Sequence, residues 1–316
     1  SGTAPAGSLT MSGDPNSASL AAAGYKRISQ ANLTQEAWAA LGNGSINISD
    51  ADLTWTGSEL LVWQSGNNFV LRFDPGKDQW TKGSSLNAPT ARKNQNYREI
   101  RTVWTGSDLL VLGPDSFARY NLATDTWFPI SATGSPTTDG YNFAVWTGTY
   151  ALVVNGIGGP SGRYDPASDT WLPVSTVNLP YWAKIARGAR VWTGSEAIFW
   201  GDKGFDSFGP GARYNPATDT WTTMADSGSV IGLREFPFSC WTGSEMIVWG
   251  GYNSGGSLAG GGARYNPVTD AWTPINSTGE PSARLDLLES TVWTGTEMIV
   301  WGKDGNGGRY NPATNS

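Results

Sequence analysis

The chain has 316 residues, a formal net charge of −6 and no run of Lys or Arg. That excludes the basic stripe on which sequence-independent nucleic-acid binding depends. No apolar stretch approaches the roughly 18 residues of a membrane-spanning helix. Histidine is absent and Cys240 is the only cysteine, which removes a Ser-His-Asp triad, a histidine-ligated zinc or copper site and any disulfide within the chain.

Residues 1–33 are rich in Ala, Gly, Ser and Thr and read as a low-complexity tail or linker. The first residue is Ser1 rather than Met, which is expected to reflect export and processing or trimming of the chain. Gln35 to Leu41, centred on Trp38, reads as one outer strand with no strands before it.

From Trp55 onward the sequence repeats. Trp-Thr-Gly occurs at Trp55, Trp104, Trp146, Trp192, Trp241 and Trp293, and Asp-Xaa-Trp at Trp80, Trp127, Trp171, Trp221 and Trp272. The period of 42 to 52 residues is that of propeller blades, not of helical repeats. Each unit reads as four short strands, a to d from the axis outward. Trp-Thr-Gly starts a tight a–b hairpin, because glycine accepts positive φ. Asn-Pro-Ala-Thr-Asp makes the c–d turn, with proline pre-set for its first central position.

Arg72, Arg119, Arg163, Arg213 and Arg264 each lie eight residues before a strand-d tryptophan. By contrast, 15 to 23 residues separate Trp-Thr-Gly from the arginine, and 19 to 24 separate the strand-d Trp from the next Trp-Thr-Gly. The fixed a–b and c–d turns therefore share one end of the molecule and the variable b–c and d–a loops the other, where function is expected. The last unit reaches Asn315-Ser316, just short of the expected tryptophan. The simplest closure uses the strand around Trp38 as the fourth strand of the sixth blade, which leaves no exposed sheet edge. The expected fold is all-β: a six-bladed propeller of four-stranded antiparallel blades over residues 34–316.

The unit resembles a Kelch repeat. It has an apolar strand before glycines, a Tyr, and a Trp seven residues after it, as in Tyr265 and Trp272, with Phe73 and Trp80 in the first unit. Only Gly250-Gly251 keeps the glycine pair; other units have Gly201-Asp202, Gly302-Lys303, Gly113-Pro114 or Gln64-Ser65. The resemblance implies a toroid whose binding face is built by the b–c and d–a loops. It implies no single activity, because such propellers serve as binders and as enzymes.

Residues present in every unit are read as scaffold. The arginines, with Arg309 as the sixth, are expected to stack on rings and pair with a neighbouring carboxylate. Asp78, Asp125, Asp169, Asp219 and Asp270 are expected to cap their own turns, and Cys240 to fill the core. Function is sought where the repeat breaks. Trp182 is the one tryptophan out of register and stands beside Tyr181 in a d–a loop. This pair is read either as an aromatic platform for a sugar or protein partner or as a plug against the next blade. Arg187 follows them; Arg92, Tyr97, Arg98, Tyr141, Arg234, Glu235 and Arg284 occupy other d–a loops. These ten residues form the candidate binding set for a polar or acidic ligand. No catalytic residue, cofactor or metal ligand is assigned; Asp202-Lys203-Gly204-Phe205-Asp206 and Asp304-Gly305-Asn306 lack calcium-loop spacing.

The leading expectation is a non-enzymatic binding or scaffold propeller, extracellular, cell-surface or periplasmic, that presents its loops to a protein or glycan partner. A place in a homo- or hetero-assembly is compatible with it. Two alternatives stay open: a carbohydrate-active enzyme of the epimerase or mutarotase kind, using Arg, Tyr and carboxylates at the channel mouth, and a structural subunit that self-associates.

Overall fold

The computed structural model describes residues 51–64, 68–77, 79–89, 101–113, 116–136, 142–155, 160–179, 188–201, 210–228, 230–284, 291–301 and 307–316. The expected tail over 1–33 and the expected strand around Trp38 lie outside these described residues.

Six antiparallel sheets follow one another along the chain. Blade one is β1 (Ala51–Trp55), β2 (Leu60–Gln64), β3 (Val70–Asp74) and β4 (Gln79–Lys82). Blade two is β5 (Arg101–Trp104), β6 (Asp108–Gly113), β7 (Ser116–Asn121) and β8 (Thr126–Pro129). Blade three is β9 (Asn142–Trp146), β10 (Ala151–Asn155), β11 (Gly162–Asp165) and β12 (Thr170–Pro173). Blade four is β13 (Ala189–Trp192), β14 (Ala197–Trp200), β15 (Ala212–Asn215) and β16 (Thr220–Thr223). Blade five is β17 (Phe238–Trp241), β18 (Met246–Trp249), β19 (Gly262–Asn266) and β20 (Ala271–Pro274). Blade six has β21 (Thr291–Trp293), β22 (Met298–Trp301) and β23 (Gly307–Tyr310) among the described residues.

Within each sheet the strands pair in sequence order, as a meander. The first strands of successive blades lie side by side, β1 against β5, β5 against β9, β13 against β17 and β17 against β21. They form the inner wall of the ring, and the Thr54 and Thr102 hydroxyls hydrogen-bond across it at 2.9 Å. The result is a six-bladed β-propeller. Among the described residues no helix is long and apolar enough to cross a membrane.

Burial follows position in the blade. The second strands β10, β14 and β18 are buried at every residue, because both faces meet a neighbouring blade. The outer strands β8, β12 and β16 bury only their tryptophan. The core is therefore distributed between blades. Phe143, Val145 and Leu152 of blade three pack on Phe199, Tyr214 and Trp221 of blade four, and equivalent clusters join blades one to two, two to three, four to five and five to six. Cys240 sits in the last of these, and burial pushes its thiol pKa up.

The Trp-Thr-Gly turn owes its constancy to threonine as well as glycine. Gly57 has φ 101°, and the Thr56 hydroxyl accepts the amides of Ser58 (3.3 Å) and Glu59 (2.9 Å) while donating to the Glu59 carbonyl (3.0 Å). Thr193 and Thr242 accept the matching pair of amides in their own turns.

Candidate functional site

The repeated polar residues are consumed at the turn end of the ring. The strand-c tyrosine donates its hydroxyl to the aspartate five residues on: Tyr120 to Asp125, Tyr164 to Asp169, Tyr214 to Asp219 and Tyr265 to Asp270, at 2.6 to 2.8 Å. The same carboxylate oxygen accepts a backbone amide of the preceding blade, from Ser84, Ser131, Ser175 and Ala225 respectively. The carbonyls of those four residues accept the indole N–H of Trp127, Trp171, Trp221 and Trp272. In the other direction, Arg119, Arg163, Arg213 and Arg264 donate to the proline carbonyls Pro166, Pro216, Pro267 and Pro312 of the next blade.

This corrects the expected role of the aspartates. Asp125, Asp169, Asp219 and Asp270 do not cap their own turns; they join neighbouring blades. Their backbones sit at φ 50° to 54°, a left-handed conformation that short polar residues tolerate, and this aims the carboxylate across the gap. The turn is capped instead by the residue four earlier, as where Asn215 and Asn266 accept the amides of Ala217 and Val268 at 2.9 Å. Asp78 lies outside the described residues.

The expected carboxylate partners of the arginines are the glutamates that close the a–b turn. Arg72 meets Glu59 at 2.8 Å, Arg264 meets Glu245 at 3.3 Å and Arg213 meets Glu196 at 3.5 Å. The hydrogen bonds that Arg72 donates to Glu59 hold its pKa above the ordinary value. Arg119 and Arg163 lie over the rings of Phe128 and Tyr150.

The loop end carries the residues that do not repeat, and at blade five three loops close into one unit around Gly250-Gly251. The loop from 224 to 237 is pinned by Ser227: its carbonyl accepts the Val230 and Ile231 amides at 2.8 Å, and its hydroxyl accepts the Trp200 indole at 3.0 Å. The loop then pairs with the following b–c loop, Glu235 amide to Tyr252 carbonyl at 2.9 Å and Tyr252 amide to Glu235 carbonyl at 2.8 Å. From the other side the Gly251 amide donates to the Arg284 carbonyl at 2.7 Å.

Neither glycine can be replaced without moving a neighbour. A Cβ on Gly251 would lie 2.6 Å from the Glu235 carbonyl oxygen, and one on Gly250 would lie 2.7 Å from that of Arg284. Both also have positive φ, 87° and 74°. The only repeat unit with two glycines directly after its second strand thus has them at the point where two d–a loops meet one b–c loop. Phe236 holds φ 53° immediately before Pro237, a strained conformation for a bulky residue.

Arg234 gives this region its electrostatic character. Its guanidinium donates to the Gly232 carbonyl at 2.7 Å and the Gly260 carbonyl at 3.5 Å, and burial lowers its pKa. Among the described residues no carboxylate pairs with it. Arg284 donates from Nε to the Ser282 carbonyl and from Nη2 to the Ser282 hydroxyl, both at 3.0 Å. Glu280 is held by the Trp249 indole at 2.8 Å and the Gly261 amide at 2.7 Å.

Of the ten candidate binding residues, the structure brings Arg234, Glu235 and Arg284 together on Gly250-Gly251. Tyr181, Trp182, Arg187, Arg92, Tyr97, Arg98 and Tyr141 lie outside the described residues. Sequence reasoning missed Tyr252 and Glu280. The signal for the first was the glycine pair beside it; for the second it was the Thr-Gly-Glu-Pro run at 278–281, where the earlier unit has Thr-Gly-Ser-Pro at 133–136. No three potential metal-ligating side chains cluster among the described residues. No protein-family model and no curated protein matches the chain.

Proposed function

We propose that this protein is a Kelch-like binding propeller, working outside the cytoplasm, that engages a protein or glycan partner through the loops gathered at blade five. One observation carries the reading. Among the described residues the repeated polar side chains are engaged in joining blades or in closing their own turns, while the unrepeated Arg234, Glu235 and Arg284 converge on Gly250-Gly251, on the end where the loops vary. A rigid scaffold with functional groups on its variable loops is the usual division of labour in such folds. Arg234, partly desolvated and without a carboxylate partner among the described residues, is suited to receive an acidic or strongly hydrogen-bonding group from a partner.

The test is binding to a glycan array and to extracellular protein fractions, with wild type and the Arg234→Ala and Arg284→Ala chains run in parallel. A partner retained by wild type and lost by both variants supports the reading. A partner held equally by all three places recognition elsewhere on the ring. Glu235→Gln separates binding from acid–base catalysis, because a binder keeps its partner and a carbohydrate-active enzyme loses turnover.

A further inference from the structure

The loops gathered at blade five contain a sheet edge of their own. Glu235, Tyr252 and Leu258 form two antiparallel bridges in a row, Glu235 to Tyr252 and Tyr252 to Leu258. The Glu235–Tyr252 pair exchanges both of its backbone hydrogen bonds. The Tyr252–Leu258 pair is of the other kind. It is flanked by the Asn253 amide on the Ser257 carbonyl and the Ala259 amide on the Gly251 carbonyl, each at 2.9 Å. Such pairs alternate along an antiparallel ladder. The Tyr252 amide and carbonyl therefore face Glu235, and those of Leu258 face the opposite way, out of the sheet. No group among the described residues bonds to either, and Leu258 is 47% exposed.

The outer edges of four blades are guarded where this one is not. The outer strands β8, β12 and β20 stop at Pro129, Pro173 and Pro274, and β4 stops at Lys82. Proline and lysine at an edge discourage pairing with another chain. Residues 253–260 contain neither proline nor a charge. Directly opposed residues share a face, so Glu235, Tyr252 and Leu258 make a row across the sheet. Arg234, one residue before Glu235, belongs to the other face by alternation. Its guanidinium reaches the Gly260 carbonyl, two residues beyond Leu258, and meets no carboxylate among the described residues. An open edge, an exposed leucine and a cation thus lie within one short segment.

We infer that this edge accepts an extended segment of a protein partner, which adds as a fourth strand beside Leu258. The inference rests on the reading of blade five given above and narrows its partner from protein or glycan to peptide backbone. The reason is chemical. An amide and a carbonyl of one residue, directed outward together, are matched by the same pair on another strand. The row on one face calls for an apolar residue opposite Leu258. Arg234 calls for a carboxylate next to it in sequence, where alternation turns it to the other face. A second copy of this chain does not supply that pattern, because its own edge over 253–260 has no acidic residue.

The test uses the full chain and a displayed library of random peptides. Selected peptides should share adjacent apolar and acidic residues. Methylating their backbone nitrogens one at a time should weaken binding about tenfold or more at alternate positions and leave the positions between unchanged, because only every second amide of an added strand faces the edge. Arg234→Ala should weaken binding about 10- to 100-fold. Loss on Arg234→Ala without the alternating pattern means that side chains alone are read; strand addition is then overturned while the blade-five site stands. A library that yields no binder overturns the inference, and a glycan lost by Arg234→Ala in the same experiment keeps the site. Peptide binding indifferent to Arg234→Ala lies elsewhere on the ring and overturns both. A concentration-dependent dimer lost on Leu258→Pro, which removes the edge amide, makes a second copy the occupant and also overturns the assignment.

Discussion

Arg213 and Arg234 are chemically identical side chains in opposite situations. At the turn end, Arg213 lies between Glu196 at 3.5 Å and the Pro267 carbonyl at 2.6 Å, in a pattern repeated at the neighbouring interfaces. At the loop end, Arg234 is desolvated by burial, holds two carbonyls and meets no carboxylate among the described residues. Repetition marks where polar groups are satisfied within the fold and so serve stability. At Arg234 it is absent, and there a half-buried charge is carried with no carboxylate partner among the described residues, at a cost a scaffold alone has no reason to bear.

The largest effect expected at the turn end comes from Trp221→Ala. The ring is buried, packs on Tyr214 with centroids 4.9 Å apart and donates to the Ser175 carbonyl. Truncation should cost about 3–5 kcal/mol in chemical denaturation. A loss below about 1 kcal/mol would mean that the interface between blades three and four adapts freely, and that Trp221 does not hold the two blades together.

Asp219 comes next. Its carboxylate accepts the Tyr214 hydroxyl, the Ser175 amide and Arg163, so Asp219→Ala leaves three donors without their acceptor and should cost about 2 kcal/mol. Asp219→Asn should cost about 1 kcal/mol or less at pH 7, because blade six already uses Asn315 in this place. The two variants also fix the acid limb. Burial on its own would raise the Asp219 and Asp270 pKa values, but the tyrosine hydroxyl, the backbone amide and the neighbouring arginine together hold both below the ordinary value. A depressed folded pKa gives stability that is complete above the unfolded value of about 3.9 and lost as pH falls through the lower folded value. Melting temperature in wild type should therefore drop below about pH 4, and Asp219→Asn with Asp270→Asn should flatten that drop.

The ring was legible in the sequence because a blade cannot bury its faces alone, so each one repeats the groups that join it to the next. Trp-Thr-Gly and the constant Arg-to-Trp interval marked six repeats of short antiparallel strands, and the structure shows six such sheets among the described residues. What joins the blades was harder to read. Asp125, Asp169, Asp219 and Asp270 sit in turn sequences, and a turn aspartate capping itself and one reaching a neighbouring blade look alike until the left-handed backbone is seen. The candidate site was legible only in fragments. Arg234, Glu235 and Arg284 were marked by being unrepeated, but nothing in the spacing states that loops 50 residues apart meet on one b–c loop. The intact Gly250-Gly251 pair was the one sequence trace of that meeting, since only glycine lets two backbones approach so closely.

That point of contact gives a smaller and more local prediction. Gly251→Ala places a Cβ 2.6 Å from the Glu235 carbonyl at φ 87°, and should cost about 1–2 kcal/mol. Being at a loop junction, it should also raise hydrogen exchange over 234–237 and 282–284 while the strands of blades two and three exchange as before. Uniform loosening of the ring would instead make the glycine pair part of the scaffold.

Arg234→Ala is expected to have the smallest effect on stability and is the most informative. The substitution removes two hydrogen bonds to carbonyls but also a charge that burial disfavours, and these oppose each other. The net change should lie within about 0.5 kcal/mol of wild type. Arg213→Ala, by contrast, leaves Glu196 and the Pro267 carbonyl behind and should cost about 1–2 kcal/mol. Parallel urea melts of the two chains decide the matter. If Arg234→Ala destabilises as much as Arg213→Ala, then Arg234 holds the loop of blade five in place, and the distinction between the two ends of the ring fails at its most telling residue. If stability is unchanged, selection for folding does not account for a desolvated arginine at this position. Its charge is then available to a partner, and the loop end of blade five is where that partner should be sought.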